Sequence, residues 1–192
     1  MVEKAYGGIP AQPAIAAHRV RPQEPVPAAP RTVTLSDPRV EQTGLRRYYL
    51  VPSSTTAAAG ESPALDVLAQ LMGGGSNSYL YRALVIDRQL ATSAGAGYQG
   101  TSLDPSQFSL SVSPKPGVEF SQIEQVIDGV ISDVIQNPAR AEDLERVKTQ
   151  LIAEAIYAQD SQATLARWYG GALTTGLSID DIRSWPDRIR AV

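Results

Sequence analysis

The 192-residue chain carries 17 basic and 20 acidic side chains, a formal net charge of −3, with 43% hydrophobic residues and a mean hydropathy of −0.16. This suits one domain with a real core plus an extended arm, and excludes a disordered chain or an α-helical membrane span. It also argues against a nucleic-acid partner, because no Lys/Arg cluster interleaves with aromatics.

With no cysteine and one histidine, His18, the chain lacks the ligands of a zinc centre, a thiol nucleophile and the base of a serine triad in any folded region. Calcium-loop, phosphate-loop and nucleophile-turn motifs do not occur. Met1-Val2-Glu3-Lys4 is not the start of a signal peptide, so any export signal is expected upstream. The compartment, bacterial periplasm or cytoplasm, stays open.

In chain order, Pro10, Pro13, Pro22, Pro25, Pro27 and Pro30 predict an extended connector over 9–30, with His18 as a solvated linker residue. A connector at the start implies a domain before it, so 1–30 reads as an interdomain arm and 31–192 as the domain. Thr32–Leu35 and Arg47–Val51 are strand candidates, the second stopped by Pro52. Ser62-Pro63 reads as a helix start, Ser as N-cap and Pro first in the helix, with Leu65, Leu68, Leu71 and Met72 at helical spacing. Gly73-Gly74-Gly75 ends that helix. Ser76-Asn77-Ser78 caps a second, with Leu80, Tyr81, Leu84 and Val85 inward.

Ala94–Tyr98 is extended, and Phe108, Leu110 and Val112 alternate with serines as a half-buried strand, joined through 101–105 as a hairpin. Ile123, Val126, Ile127, Val130, Ile131, Val134 and Ile135 form the clearest helical stripe, closed by Asn137-Pro138 and placing Val130 and Ile131 in the main core. A long helix from Ala141 turns Leu144, Val147, Leu151 and Ile152 inward, its charged face over 140–148 solvated. A helix through Leu165 and Trp168 is expected to stop at Gly170-Gly171. Ser178 opens a last one. Tyr98 and Trp168 read as packing aromatics. The order predicts an α+β fold, a largely antiparallel sheet with helices on one face.

Tyr6-Gly7-Gly8-Ile9-Pro10 and its proline arm resemble the interdomain linker of the pitrilysin/insulinase family of zinc metallopeptidases. Gly73–Arg82 followed by Asp87–Ala91 resembles the family's Gly-Gly-x-Ser-Ser-Arg-Leu-Tyr and Arg-Glu-x-x-Gly-Leu-Ala-Tyr. Asn137-Pro138 with Leu144 and Lys148 matches its helix, break, long-helix segment. The resemblance covers nearly the whole chain.

It implies the second copy of a duplicated α+β domain. The zinc motif, His-x-x-Glu-His, belongs to the first copy, so zinc is expected in the upstream domain of the parent and no catalytic, metal or cofactor residue here. It also implies truncation, since family domains close with a further helix and strand beyond Ile189-Arg190. Paired halves of such proteins close around an unfolded peptide, and a second-copy domain often supplies an Arg and a Tyr seven residues apart. Those positions fall on Val85 and Thr92, neither of which does that work.

The resemblance therefore implies a zinc endopeptidase parent, working as a homo- or heterodimer on a polypeptide substrate, whose partner brings the pair. The alternative is a catalytically dead scaffold of the same family. The glycine-rich loop reads first as a tight helix-to-helix joint; its second reading makes Gly74, Gly75, Ser76 and Asn77 candidate substrate contacts, because a related but longer glycine-rich loop, in another subunit domain of mitochondrial processing peptidase, touches substrate.

Overall fold

A computed structural model describes residues 2–10 and 25–192. Contacts divide the chain into two units, Met1–Leu35 and Ser36–Val192. The first has a short helix, α1 (Val2–Tyr6). Its residues 25–35 form neither helix nor ladder, so Thr32–Leu35 is not a strand, and Val33 and Leu35 are exposed. A β-branched run gains from a strand only where a neighbour and a buried face receive it. His18, Pro13 and Pro22 lie outside the described residues.

In the second unit, β1 (Leu45–Val51), β2 (Ala91–Tyr98) and β3 (Ser106–Pro114) make an antiparallel sheet of order β1-β3-β2. Between β1 and β2 come α2 (Glu61–Gly73), the single turn α3 (Tyr79–Tyr81) and a π-helical segment, Arg82–Asp87. After β3 come α4 (Phe120–Gln136), α5 (Ala141–Ala158), α6 (Gln162–Thr174), α7 (Ile179–Arg183) and α8 (Trp185–Arg190). This is the α+β fold, and no described helix is long and apolar enough to cross a membrane.

Register decides the two faces of the sheet. Leu45 stands opposite Val112, Arg47 opposite Leu110 and Tyr49 opposite Phe108; Ala94 and Ala96 flank Val112 and Leu110 on the other side. That face buries Phe108, Leu110 and Val112 against Met72 of α2, Leu80, Leu84, and Ile123 and Ile127 of α4. The opposite face carries Ser109, Ser111, Ser113, Gly95 and Gly97, so period-two alternation separates core from solvent. Arg47 ties β1 to α4 through ion pairs with Asp128 and Glu124.

Helix α2 is apolar on two sides. Ala69 and Met72 join the sheet-side core, while Val67 and Leu71 join Val147 of α5 and Ile189 of α8 in a second cluster. A helix buried on both sides is a central strut rather than a surface element.

Several expectations shift. The N-cap of α2 is Gly60, two residues before Ser62. Ser62 is buried, its hydroxyl within hydrogen-bond reach of the Ser54 and Tyr98 hydroxyls. Val130 and Ile131 are only partly buried at the edge of the core, and Ile135 is 78% exposed, so the stripe of α4 is fully covered in its N-terminal half and progressively less beyond it. The face of α5 over 140–148 is not all solvated. Asp143 is buried between Arg140 and Arg146, and buried Lys148 pairs with Glu145. Helix α6 runs through Gly170-Gly171 to Thr174. Glycine only weakens a helix interior, and a stop needs a partner for the last carbonyls. Ser178 caps α7 as expected, in a box with Asp181.

Candidate functional site

The loop after α2 is built by close approach. Gly73 seats the last turn of α2 on β2 so tightly that an added Cβ would lie 1.7 Å from the Ala96 nitrogen. Gly75 then takes φ +97°, a left-handed conformation natural to glycine. Its carbonyl accepts from the Ser78 hydroxyl at 2.7 Å and the Ser78 amide at 3.1 Å, closing the turn. Ser76 and Asn77 are left exposed on a pinned loop, with Gly74, the C-cap, half-buried beneath them. A polypeptide passing this loop meets exposed backbone and two small polar side chains.

From Ser78 the chain enters α3 and buries Leu80 and Leu84 completely. Over Arg82–Asp87 the ladder widens, the Arg88 amide reaching the Ala83 carbonyl at 3.1 Å. A hydrogen-bonded ring one residue wider than that of an α-helix is rare and is frequent at functional sites. Val85, within this segment, packs partly buried against the main core. Gln89 follows at φ 54°, delivering the chain into β2.

Thr92 stands where the β2–β3 register slips between Ala91 and Ser93. The bulge exposes its side chain, and its hydroxyl donates to the Ser113 carbonyl at 3.1 Å. Val85 thus offers no donor, and the only one of the Thr92 side chain is spent on the sheet.

Beside the π segment runs an open groove of about 980 Å³, floored by Val126, Val130 and Val134 and edged by Arg82, Arg88 and Arg140. Asp143, outside the lining, holds Arg140 through an ion pair at 2.6 Å. The hydrogen bond from Arg146 outweighs burial, and with Arg140 it holds the Asp143 carboxyl below the ordinary carboxylate range. Among the described residues no group of three or more His, Cys, Asp or Glu side chains is placed to hold a metal ion. The described residues therefore do not fit a zinc ion.

The sequence profile of the peptidase M16 inactive domain matches residues 1–151. The chain belongs to the peptidase M16 inactive-domain family. The glycine-rich loop, the turn carrying Val85 and the bulge carrying Thr92 all fall within that match.

Among solved structures, this M16 domain is similar to a protease from Helicobacter pylori, with 19% identity and a TM-score of 0.73 over 81% of this chain and 37% of that one. It is similar to the inactive peptidase domain of a candidate zinc protease from Bordetella parapertussis, with 18% identity and a TM-score of 0.69 over 80% of each chain. A peptidase M16 inactive domain from Pseudomonas fluorescens shares 17% identity at a TM-score of 0.67, over 79% of this chain and 35% of that one. At these identities the likeness carries the fold alone. No curated protein matches the chain.

Sequence reasoning placed the loop and both strands of the hairpin. It missed the π-helical widening and the bulge at Thr92, for which no residue pattern in 82–93 gives a signal.

Proposed function

We propose that this M16 inactive domain is the C-terminal, non-catalytic part of a zinc-dependent peptidase subunit, and that it helps enclose an unfolded peptide while a partner half supplies groups it lacks. The observation that carries this reading is the pair Val85 and Thr92. A metal-bound water attacks a peptide carbonyl efficiently only if the backbone is held in line and the developing oxyanion meets donors. At the positions where the family pattern has Arg and Tyr, this domain offers a core-packed valine and a threonine bonded to its own sheet. Those donors must then come from another subunit. In this reading the Gly74–Asn77 loop contributes passive contacts to the passing chain.

The test uses the parent protein with the domain that precedes this one. The reading expects chelator-sensitive cleavage of an unfolded peptide to rise when a family subunit bearing the Arg/Tyr pair is added. Full-rate cleavage by the parent alone, with no gain from a partner, refutes the two-subunit reading. No chelator-sensitive cleavage in either sample makes the domain part of a scaffold instead.

A further inference from the structure

A second cavity, of about 800 Å³, lies among α2, α5, α6, α7 and α8 and shares no residue with the loop, Val85 or Thr92. Its walls are aromatic and apolar, with Tyr98, Trp168, Trp185, Leu151, Leu165 and Leu177 among them. Trp168 is 40% exposed rather than packed away, so an indole face is open to what enters.

Of the five charged residues that line it, Glu154 and Arg183 are exposed and the Asp181 carboxylate is bonded to Ser178, which leaves Asp66 and Arg188 as an opposite pair. Asp66 accepts from the Trp185 indole Nε1 at 3.0 Å. Arg188 donates through Nη2 to the Asp181 carbonyl at 2.6 Å, while its buried Nε has no hydrogen-bond partner among the described residues. The charge of Arg188 is felt at Asp66, yet burial dominates and raises the Asp66 carboxyl above its ordinary value. Tyr98 gives no further donor, because its hydroxyl is spent on the Pro52 carbonyl at 2.7 Å.

Buried polar groups in native folds are almost always partnered. The Arg188 guanidinium therefore keeps donors beyond its one bond to the Asp181 carbonyl, and the Asp66 carboxylate keeps acceptor capacity beyond the one indole N–H it receives. A free carboxylate suits the first and is repelled by the second; an amine does the reverse. A neutral peptide group carries both functions, its carbonyl for Arg188 and its N–H for Asp66. The open indole and the leucines receive a side chain beside it, the mix of apolar wall and few polar groups that marks a ligand pocket.

We propose that this cavity binds a peptide segment bearing a bulky apolar side chain, with one of its peptide groups bridging Arg188 and Asp66. The chain has two tryptophans, and both line the cavity, so each indole N–H resonance reports on it. The probe is N-acetyl-leucine methylamide titrated into the full chain, against 3-methylbutanol, which has the side chain and no peptide group.

The expected result is a saturable shift of both indole resonances by the capped leucine and not by the alcohol. Trp168→Ala, at an exposed position, and Arg188→Met should each weaken binding by roughly tenfold. Unmoved indoles, equal shifts by the alcohol, or unchanged affinity in Trp168→Ala with its melting temperature retained would each overturn the proposal.

Discussion

Gly73 and the backbone of Ala96 are in contact at a separation that admits no side chain: a Cβ on Gly73 would stand 1.7 Å from the Ala96 nitrogen. The obstacle is main chain at the centre of the fold, and it cannot swing aside as a side-chain tip can. Gly73→Ala should therefore destabilise the domain by roughly 3 kcal/mol, the upper end of overpacking costs. Denaturant unfolding checks this; a loss below about 0.5 kcal/mol would mean that α2 slides along the sheet freely.

Other glycines predict the reverse sign. Gly129 in α4 and Gly170 in α6 have nothing within 4 Å of an added Cβ. Alanine at each should stabilise by about 0.5–1 kcal/mol by removing the entropic cost of a helical glycine. The measurement is the same unfolding curve, and a lower midpoint in either variant would contradict the open surroundings.

Helix α4 should show a gradient. Ile127 is fully buried, Ile131 partly, and Ile135 exposed. Ile127→Ala should cost roughly 2–5 kcal/mol, Ile131→Ala clearly less, and Ile135→Ala close to nothing. Equal losses at all three, read by thermal melting, would mean that something covers the far end of the stripe in solution.

The salt-bridged Asp143 sets an acid limb. Hydrogen bonding to Arg146 and Arg140 lowers its carboxyl in the folded state. Its contribution is therefore complete above the unfolded carboxylate value and is lost as pH falls through the lowered folded value. Asp143→Asn should be less stable than wild type at neutral pH, and the gap should narrow on acidification. A gap that is constant with pH, followed by denaturant midpoints, would assign the loss to packing instead of charge.

Thr92 and Val85 differ in what they tolerate. Thr92→Tyr, on an exposed bulge, should fold with near wild-type stability. Val85→Arg places a guanidinium where a valine packs on the core, and should cost on the order of 1–3 kcal/mol. Circular-dichroism melts of both variants decide this, and equal losses would show that the two positions share one environment.

The sequence made most of the elements legible because their signals were periodic. The alternation at Phe108, Leu110 and Val112 and the stripe from Ile123 need nothing but a count. What it hid depends on distant neighbours. Ser62 looks like a cap until Ser54 and Tyr98 arrive to take its hydroxyl. Gly170-Gly171 looks like a stop, yet the last turn of α6 is closed beyond it, where the Thr175 amide reaches the Ala172 carbonyl at 3.1 Å. The candidate loop was readable from three glycines. Asp66 and Arg188 were not, because 121 residues lie between them, one in α2 and the other in α8, and no spacing rule joins them.

The strand order bears on how the domain assembles. Strands β2 and β3 meet through a short local loop, whereas β1 reaches β3 only by closing the long stretch from Val51 to Ser106. Closing a long loop costs entropy before its contacts repay it. The hairpin and α4 should therefore form first, with β1 docking later, and native-state hydrogen exchange should find the amides of β3, flanked on both sides, the slowest.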